Sequence, residues 1–431
     1  MSKATDGLIE LADIEVARVR LAAAKVLRPT PVRRSDSLSA LAGRRVILKP
    51  EYLQRTGSFK VRGAYNLISH LPPGSEVVAA SAGNHAQGVA FAATGAGMKA
   101  TIFMPEGASL PKVEATRSYG ALVRLEGKVV DDCFALAQLY AADTGAQYVP
   151  PFDHPLIMAG QGTIGLELLD EAPEAEVVVL PVGGGGLISG VSAALAQAQA
   201  AQAAHGAHAA HGAHAHAAHA AHRAGIRVVG VEPAGAACVS ASLAAGRAVT
   251  LDHIHTMADG IAVKSTSDLV LAHVTRYVDD VVTVDEEEIA RAVLLLLERG
   301  KAVVEPAGAV GLAAILAGKV GGDGPAVAVL SGGNVDPLLL IKMIDHGLSA
   351  AGRYLVFRAV LDDRPGALAG LTATLAGMGL NVLQVAHHRS GLELGIHEVD
   401  VQMTVETRGP EHRGAVVDAL KEAGYRVEPV G

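Results

Sequence analysis

Short β-branched runs that stop at glycine-rich turns and give way to long alanine-rich stretches recur along this chain, and no other feature narrows its fold as much. Val46–Leu48, Val77–Ala80, Thr101–Met104, Val177–Pro181, Val228–Val231 and Val327–Leu330 read as strands. The alternation is that of parallel α/β units with helices on both faces, and open α/β sheets place ligands at the carboxyl ends of their strands. The strongest of these turns is the tetraglycine Gly183–Gly186, which follows one apolar strand and leads through Leu187 into a helix. Four successive glycines carry a cost in conformational entropy, whereas their amides at a helix N-terminus suit a phosphate dianion. A plain flexible turn is the alternative. Asp285-Glu286-Glu287-Glu288 reads as a capped helix start, with Gly300 as the expected C-cap.

The 431 residues suffice for two or three domains. No stretch of 18 apolar residues runs uninterrupted, so a membrane helix is not expected, and Met1–Asp6 lacks the build of a signal peptide. Cys133 and Cys238 are too few for a disulfide framework and read as free thiols, as in a cytoplasmic protein. A net charge of −8 and the absence of tryptophan give no support to nucleic-acid binding.

Lys60 stands between Phe59 and Val61, after a Gly-Ser turn and at the start of an expected helix. An amine in so apolar a setting can form a Schiff base with a carbonyl cofactor or substrate. Taken alone, a surface lysine opening an amphipathic helix is the simpler reading. The wider segment changes that. Lys49-Pro50-Glu51-Tyr52-Leu53-Gln54-Arg55-Thr56-Gly57-Ser58-Phe59-Lys60-Val61-Arg62-Gly63-Ala64 resembles the lysine segment of the threonine/serine dehydratases, which are pyridoxal-phosphate (PLP) enzymes of the tryptophan-synthase-β-like fold. Ser81–Gly88, Ala159–Thr163, Pro181–Leu187 and Leu330–Asn334 then follow in that family's order.

The resemblance implies a two-lobed α/β catalytic domain over residues 1–345, with a smaller lobe at about 56–160. Lys60 is then the residue that binds PLP and the base at the substrate Cα. Gly183, Gly184, Gly185, Gly186 and Leu187 hold the phosphate, Ser331 faces the pyridine nitrogen, Asn84 meets the ring oxygen and Phe59 shapes the pocket. The backbone of Ser81, Ala82, Gly83, Asn84 and His85 is expected to hold the substrate carboxylate. For Ser331 alone, a helix N-cap is a competing reading, and His85 alone reads as a satisfied core histidine. Related serine racemases carry a serine where Ala82 stands, so racemisation is expected to be poor. They also bind a cation near a Glu-Pro; here Glu232-Pro233 departs from their acidic pattern, and no metal site is expected. The implied activity is deamination of L-threonine to 2-oxobutanoate, with L-serine as a second substrate. A serine-preferring dehydratase, a serine/threonine racemase and a non-catalytic amino-acid sensor are the alternatives.

Ala196–Arg223 is low in complexity and carries His205, His208, His211, His214, His216, His219 and His222. A three-residue step falls about 60° short of a helical turn, so the first four wind around a helix rather than line one face. The segment reads as an exposed extension of the helix behind the tetraglycine. Residues 354–431 differ in character. Strands Tyr354–Leu361, Asn381–His388 and Val399–Val405, helices Ala367–Met378 and Glu411–Ala423, and a final short strand form a βαββαβ unit. With its Asp-Arg-Pro-Gly-Ala-Leu run, this α+β, ferredoxin-like unit resembles an ACT domain, a small amino-acid-sensing module. The resemblance implies effector contacts at Asp363, Arg364, Gly366, Ala367, Leu368 and Asn381, and a homodimer or homotetramer.

Overall fold

The computed structural model describes residues 7–209, 225–350, 352–388 and 394–430. The chain divides into two compact units, Met1–Asp336 and Pro337–Gly431.

The first unit holds two sheets. The larger has six strands in the order Arg33–Arg34, Val46–Lys49, Ala326–Val329, Val177–Pro181, Arg227–Pro233 and Asp280–Val284. All neighbours are parallel except the first pair. Its central strands Val177–Pro181 and Ala326–Val329 are buried at every position, which explains why they are apolar without alternation. The smaller sheet runs Leu122–Leu125, Lys99–Met104, Glu76–Ala80 and Gln147–Tyr148, all parallel. The six expected strands are present within a residue or two at each end. Those the sequence does not announce include Arg33–Arg34 and Leu122–Leu125, sheet-edge strands with almost no β-branched residues.

Asp285 caps the helix Glu286–Glu298 as expected: its Oδ1 accepts from the Glu288 amide, and Glu288 Oε2 accepts from the Asp285 amide, both at 2.8 Å. The expected C-cap does not hold. The helix ends at Arg299, and the left-handed residue beyond it is Lys301, with φ of 52°. Gly300 instead lies tight against Leu296 O, where a Cβ would come within 2.8 Å.

The helix behind the tetraglycine spans Gly186–Ala209. The low-complexity segment is not an exposed extension from its start. Ala198 is buried, and Gln197 Nε2 donates to Ile9 O at 2.9 Å while its Oε1 accepts from the Leu11 amide at 2.8 Å. His211, His214, His216, His219 and His222 lie outside the described residues.

In the second unit, an antiparallel sheet orders Val382–His388, Glu398–Glu406, Tyr354–Asp362 and Arg426–Pro429. Leu355, Phe357, Ala359 and Leu361 point to one face and pack with Leu371, Leu375, Val416 and Leu420 of the helices Ala367–Gly377 and Pro410–Glu422. The βαββαβ order is the expected one.

Candidate active site

The helix Lys60–Ile68 starts one residue after a crossing between the lobes: the Phe59 amide donates to Ser331 O at 3.1 Å, and Ser58 bridges Gly332. Lys60 and Arg62 are two positions apart, hence about 200° around the helix, and serve opposite sides. Arg62 turns into the protein. Its guanidinium binds both oxygens of Glu51 at 2.8 Å, Glu167 at 2.5 and 2.9 Å, and Thr163 Oγ1 at 3.0 Å. Lys49 joins the same cluster through Glu167 at 2.7 Å and Glu171 at 3.0 Å. These pairs hold the Arg62 guanidinium above its ordinary pKa despite its burial, and draw Glu167 down to about 2 against its own burial.

Lys60 turns the other way, into a cleft. Its Nζ donates to Pro151 O at 2.8 Å and lies 5.3 Å from the centroid of the Phe59 ring. Burial pushes the amine down to about 8, against the opposing pull of Glu305. Phe59, Asn84, Phe152, Pro181, Gly183–Leu187, Gly260, Ile261, Glu305, Ala307 and Ser331 complete the lining.

Across the cleft the tetraglycine leaves the strand Val177–Pro181 and opens the helix Gly186–Ala209. A Cβ at Gly184 would sit 2.1 Å from the Phe152 ring, and Gly185 has φ of +94°. The turn is therefore a cradle of bare backbone that side chains would fill. The helix has no use for its own first-turn amides at Gly186, Leu187 and Ile188. A bare-backbone anion site opposite a buried amine of lowered pKa fits a phosphate-bearing aldehyde.

Ser331 is buried at the cleft, just past the strand Ala326–Val329. It is no helix cap, because the next helix begins at Pro337. Asn84 opens the helix Asn84–Gly95, whose first-turn amides at Asn84, His85 and Ala86 are likewise spare. The preceding amides are differently placed. The Ser81 amide donates to Phe103 O and the Gly83 amide to Ser81 Oγ, each at 3.1 Å, so those two are already spent within the fold. His85 is a core histidine: its Nε2 lies 2.9 Å from Val149 O, and burial with the neighbouring Lys60 charge drives its pKa down to about 3. Glu232, 0 % exposed, accepts from the amides of Val239 and Ser240 at 2.8 Å and from Ser240 Oγ at 2.6 Å. Both its oxygens thus cap the helix Cys238–Ala245.

Five lining residues, Phe152, Gly260, Ile261, Glu305 and Ala307, escape the sequence reading. Phe152 sits in a loop and Ile261 ends the short 3₁₀ turn Asp259–Ile261, and both become neighbours of the glycines only by folding. Glu305 had a visible signal, a lone carboxylate in the apolar run Ala302–Leu312.

In the second unit, Asp363, Arg364, Ala367 and Leu368 line a hollow with His387 and Val399. Gly366 has φ of +93° with open space around its Cβ position, so it serves backbone conformation rather than close approach. Asn381 is not with them. It lines a separate hollow with Arg353, Glu406, Arg408 and His412. The helix Ala367–Gly377 carries the chain back along the sheet, so Val382–His388 begins at the end opposite the Asp363–Leu368 loop.

Residues 24–332 match the pyridoxal-phosphate dependent enzyme family, and residues 356–424 match the ACT domain. An L-threonine ammonia-lyase of Thermotoga maritima is 44% identical over 428 residues, 98% of this chain and all of that one. One of Geobacter sulfurreducens is 43% identical over 408 residues, 94% and 96% of the two chains. Among solved structures, the processed form of threonine deaminase isoform 2 from Solanum lycopersicum shares 33% identity with a TM-score of 0.67, covering 78% of this chain and 86% of that one. Maize serine racemase shares 34% with a TM-score of 0.67, covering 79% and 98%. The glycine cradle, Lys60 and Ser331 all fall inside the larger matched span, and the chain belongs to the pyridoxal-phosphate dependent enzymes, with an ACT domain following its catalytic part.

Proposed function

We propose that the protein is an L-threonine ammonia-lyase, forming 2-oxobutanoate and ammonia, with L-serine converted to pyruvate as a second reaction. The observation that carries the reading is the cleft itself, where a lysine amine of lowered pKa faces a bare-backbone anion cradle with a buried serine beside them. Near full-length likeness to chains named L-threonine ammonia-lyase supports the substrate.

Lys60 would hold PLP through its amine, the amides of Gly183–Leu187 its phosphate, Ser331 its ring nitrogen and Asn84 its ring oxygen. When bound, the cofactor supplies an electron sink that makes the substrate Cα–H acidic. The spare first-turn amides at Asn84–Ala86 orient the substrate carboxylate. The Lys60 amine, set free when the substrate amine takes its place and with its pKa lowered by burial, would take the Cα proton. A hydroxyl at Ser331, unlike a carboxylate, would leave the ring a weaker electron sink, which suits loss of the β-hydroxyl. Ala82 has no proton to give, which argues against the racemase reading despite the likeness to maize serine racemase.

The Asp363–Leu368 loop is proposed as the seat of an amino-acid effector. The buried free thiols Cys133 and Cys238 support a cytoplasmic setting, and a homodimer or homotetramer is the proposed assembly. A ketoacid assay with L-threonine and L-serine tests the activity: wild type is expected to favour threonine and Lys60→Ala to be inactive. Near-normal turnover by Lys60→Ala would overturn the assignment.

A further inference from the structure

Two groups of the large lobe clamp the Asn84 side chain. Its Nδ2 donates to Glu305 Oε1 at 2.5 Å, and its Oδ1 accepts from Asn334 Nδ2 at 2.7 Å. Asn334 is itself oriented by the backbone, since its Nδ2 also donates to Thr56 O at 2.8 Å. Asn334 therefore shows Asn84 an N–H, which requires Asn84 to answer with oxygen and leave nitrogen for Glu305. One N–H of that nitrogen goes to Glu305. The other has no acceptor among the described residues, and Asn84 lines the cleft beside Lys60 and Ser331.

Glu305 is costly to keep there. It is 2% exposed, and burial together with the nearby Asp259 pushes its pKa up to about 7, against the Asn84 hydrogen bond and the charges of Lys112 and Lys60. The chain also makes room for it. A Cβ at Gly332 would come within 2.2 Å of Glu305 Oε1 and 2.8 Å of Asn84 Nδ2, so any side chain there would break the contact.

We propose that Glu305 is a positioning residue for the cofactor: through Asn84 it turns the carboxamide so that an N–H, not the carbonyl oxygen, faces the ring oxygen of the bound group. The inference rests on reading Asn84 as the residue that meets that oxygen. An N–H there stabilises an anionic ring oxygen, whereas a carbonyl would repel it. Without Glu305 the carboxamide loses one of its two restraints and its nitrogen loses a buried partner.

The test uses full-length protein, stripped of PLP and titrated back, with cofactor affinity and the position of its absorbance band as readouts. Glu305→Ala is expected to weaken PLP binding about tenfold, the scale of one hydrogen bond to a charged group, and to move the band. Glu305→Gln keeps an acceptor for Asn84 and should stay within about threefold of wild type. Glu305→Ala combined with Asn84→Ala should bind no more weakly than Asn84→Ala alone, because both act through one group. Wild-type affinity and band position in Glu305→Ala would overturn the proposal, as would losses that multiply in the double variant. Wild-type affinity in Asn84→Ala would overturn the reading of Asn84 and this inference with it. Should Glu305→Ala fold poorly, Glu305→Leu, apolar and of similar size, removes the same acceptor from Asn84 without leaving a cavity; it should weaken PLP binding and move the band in the same way. An unmoved band there counts against the proposal.

Discussion

Replacing Arg62 with methionine should be among the most damaging single changes outside the cleft. Arg62 and Glu51 are 1% and 0% exposed at their side chains, so water cannot take over when one of them is lost. The cluster sets two cations, Lys49 and Arg62, against three carboxylates, Glu51, Glu167 and Glu171. Methionine fills much of the volume but removes both bonds to Glu51, leaving that carboxylate with Thr30 Oγ1 at 2.6 Å. Breaking one side of a buried pair costs roughly 3–5 kcal/mol, a large share of the ~5–15 kcal/mol typical of a folded domain. Glu51→Gln alone should cost less, since Arg62 keeps Glu167. The double variant Arg62→Met/Glu51→Gln removes the stranded charge and should be less destabilised than the two single losses summed, by at least about 1–2 kcal/mol. Denaturant unfolding followed by circular dichroism measures all three. Strict additivity, or a loss below about 1 kcal/mol for Arg62→Met, would refute the argument that this pair is uncompensated by solvent.

Three further outcomes follow from the cleft and its surroundings. In cofactor-free protein, Lys60 should react with an amine-directed label along a titration curve centred near pH 8; a midpoint near 10.5, read by mass spectrometry, would contradict its burial. Gly184→Ala forces a Cβ into the Phe152 ring and should abolish PLP retention, so a variant that gel-filters with its cofactor at wild-type occupancy would show the cradle is not needed. His85 is neutral when folded, with a pKa near 3 against 6.5 when unfolded, so protonation favours unfolding and stability is lost as pH falls below about 6.5. At pH 5 the penalty is roughly 2 kcal/mol, and His85→Gln should lose about that much less stability than wild type between pH 7 and 5; equal losses in the two proteins would sink the assignment.

The strands that bury both faces were legible because a continuous Val/Leu/Ala run has few other homes, and Asp285 with Glu288 announced a helix start through their spacing alone. Gly300 misled because glycine marks both a left-handed turn and a tight contact, and residue type does not say which. The chemistry of Lys60 and the tetraglycine could be anticipated from the order of motifs. Glu305 and Phe152 could not be joined to them, since they reach the cleft from separate loops by tertiary folding. Asn381 shows the converse: its nearness to the Asp363–Leu368 loop in sequence is undone within the chain by a helix that spans the sheet.

The helix that begins at the anion cradle runs 24 residues before its described end, about 36 Å at 1.5 Å per residue. Its two ends differ in what surrounds them. At the first, one extra methyl group on Gly186 meets the backbone of Phe152; past Ala198, residues 199–204 are half-buried or exposed. A change in the length of the alanine–histidine tract that follows in sequence is therefore expected to leave the geometry at the cofactor unaltered. For the same reason it is a natural place to graft a fluorophore or a surface tether onto a working enzyme.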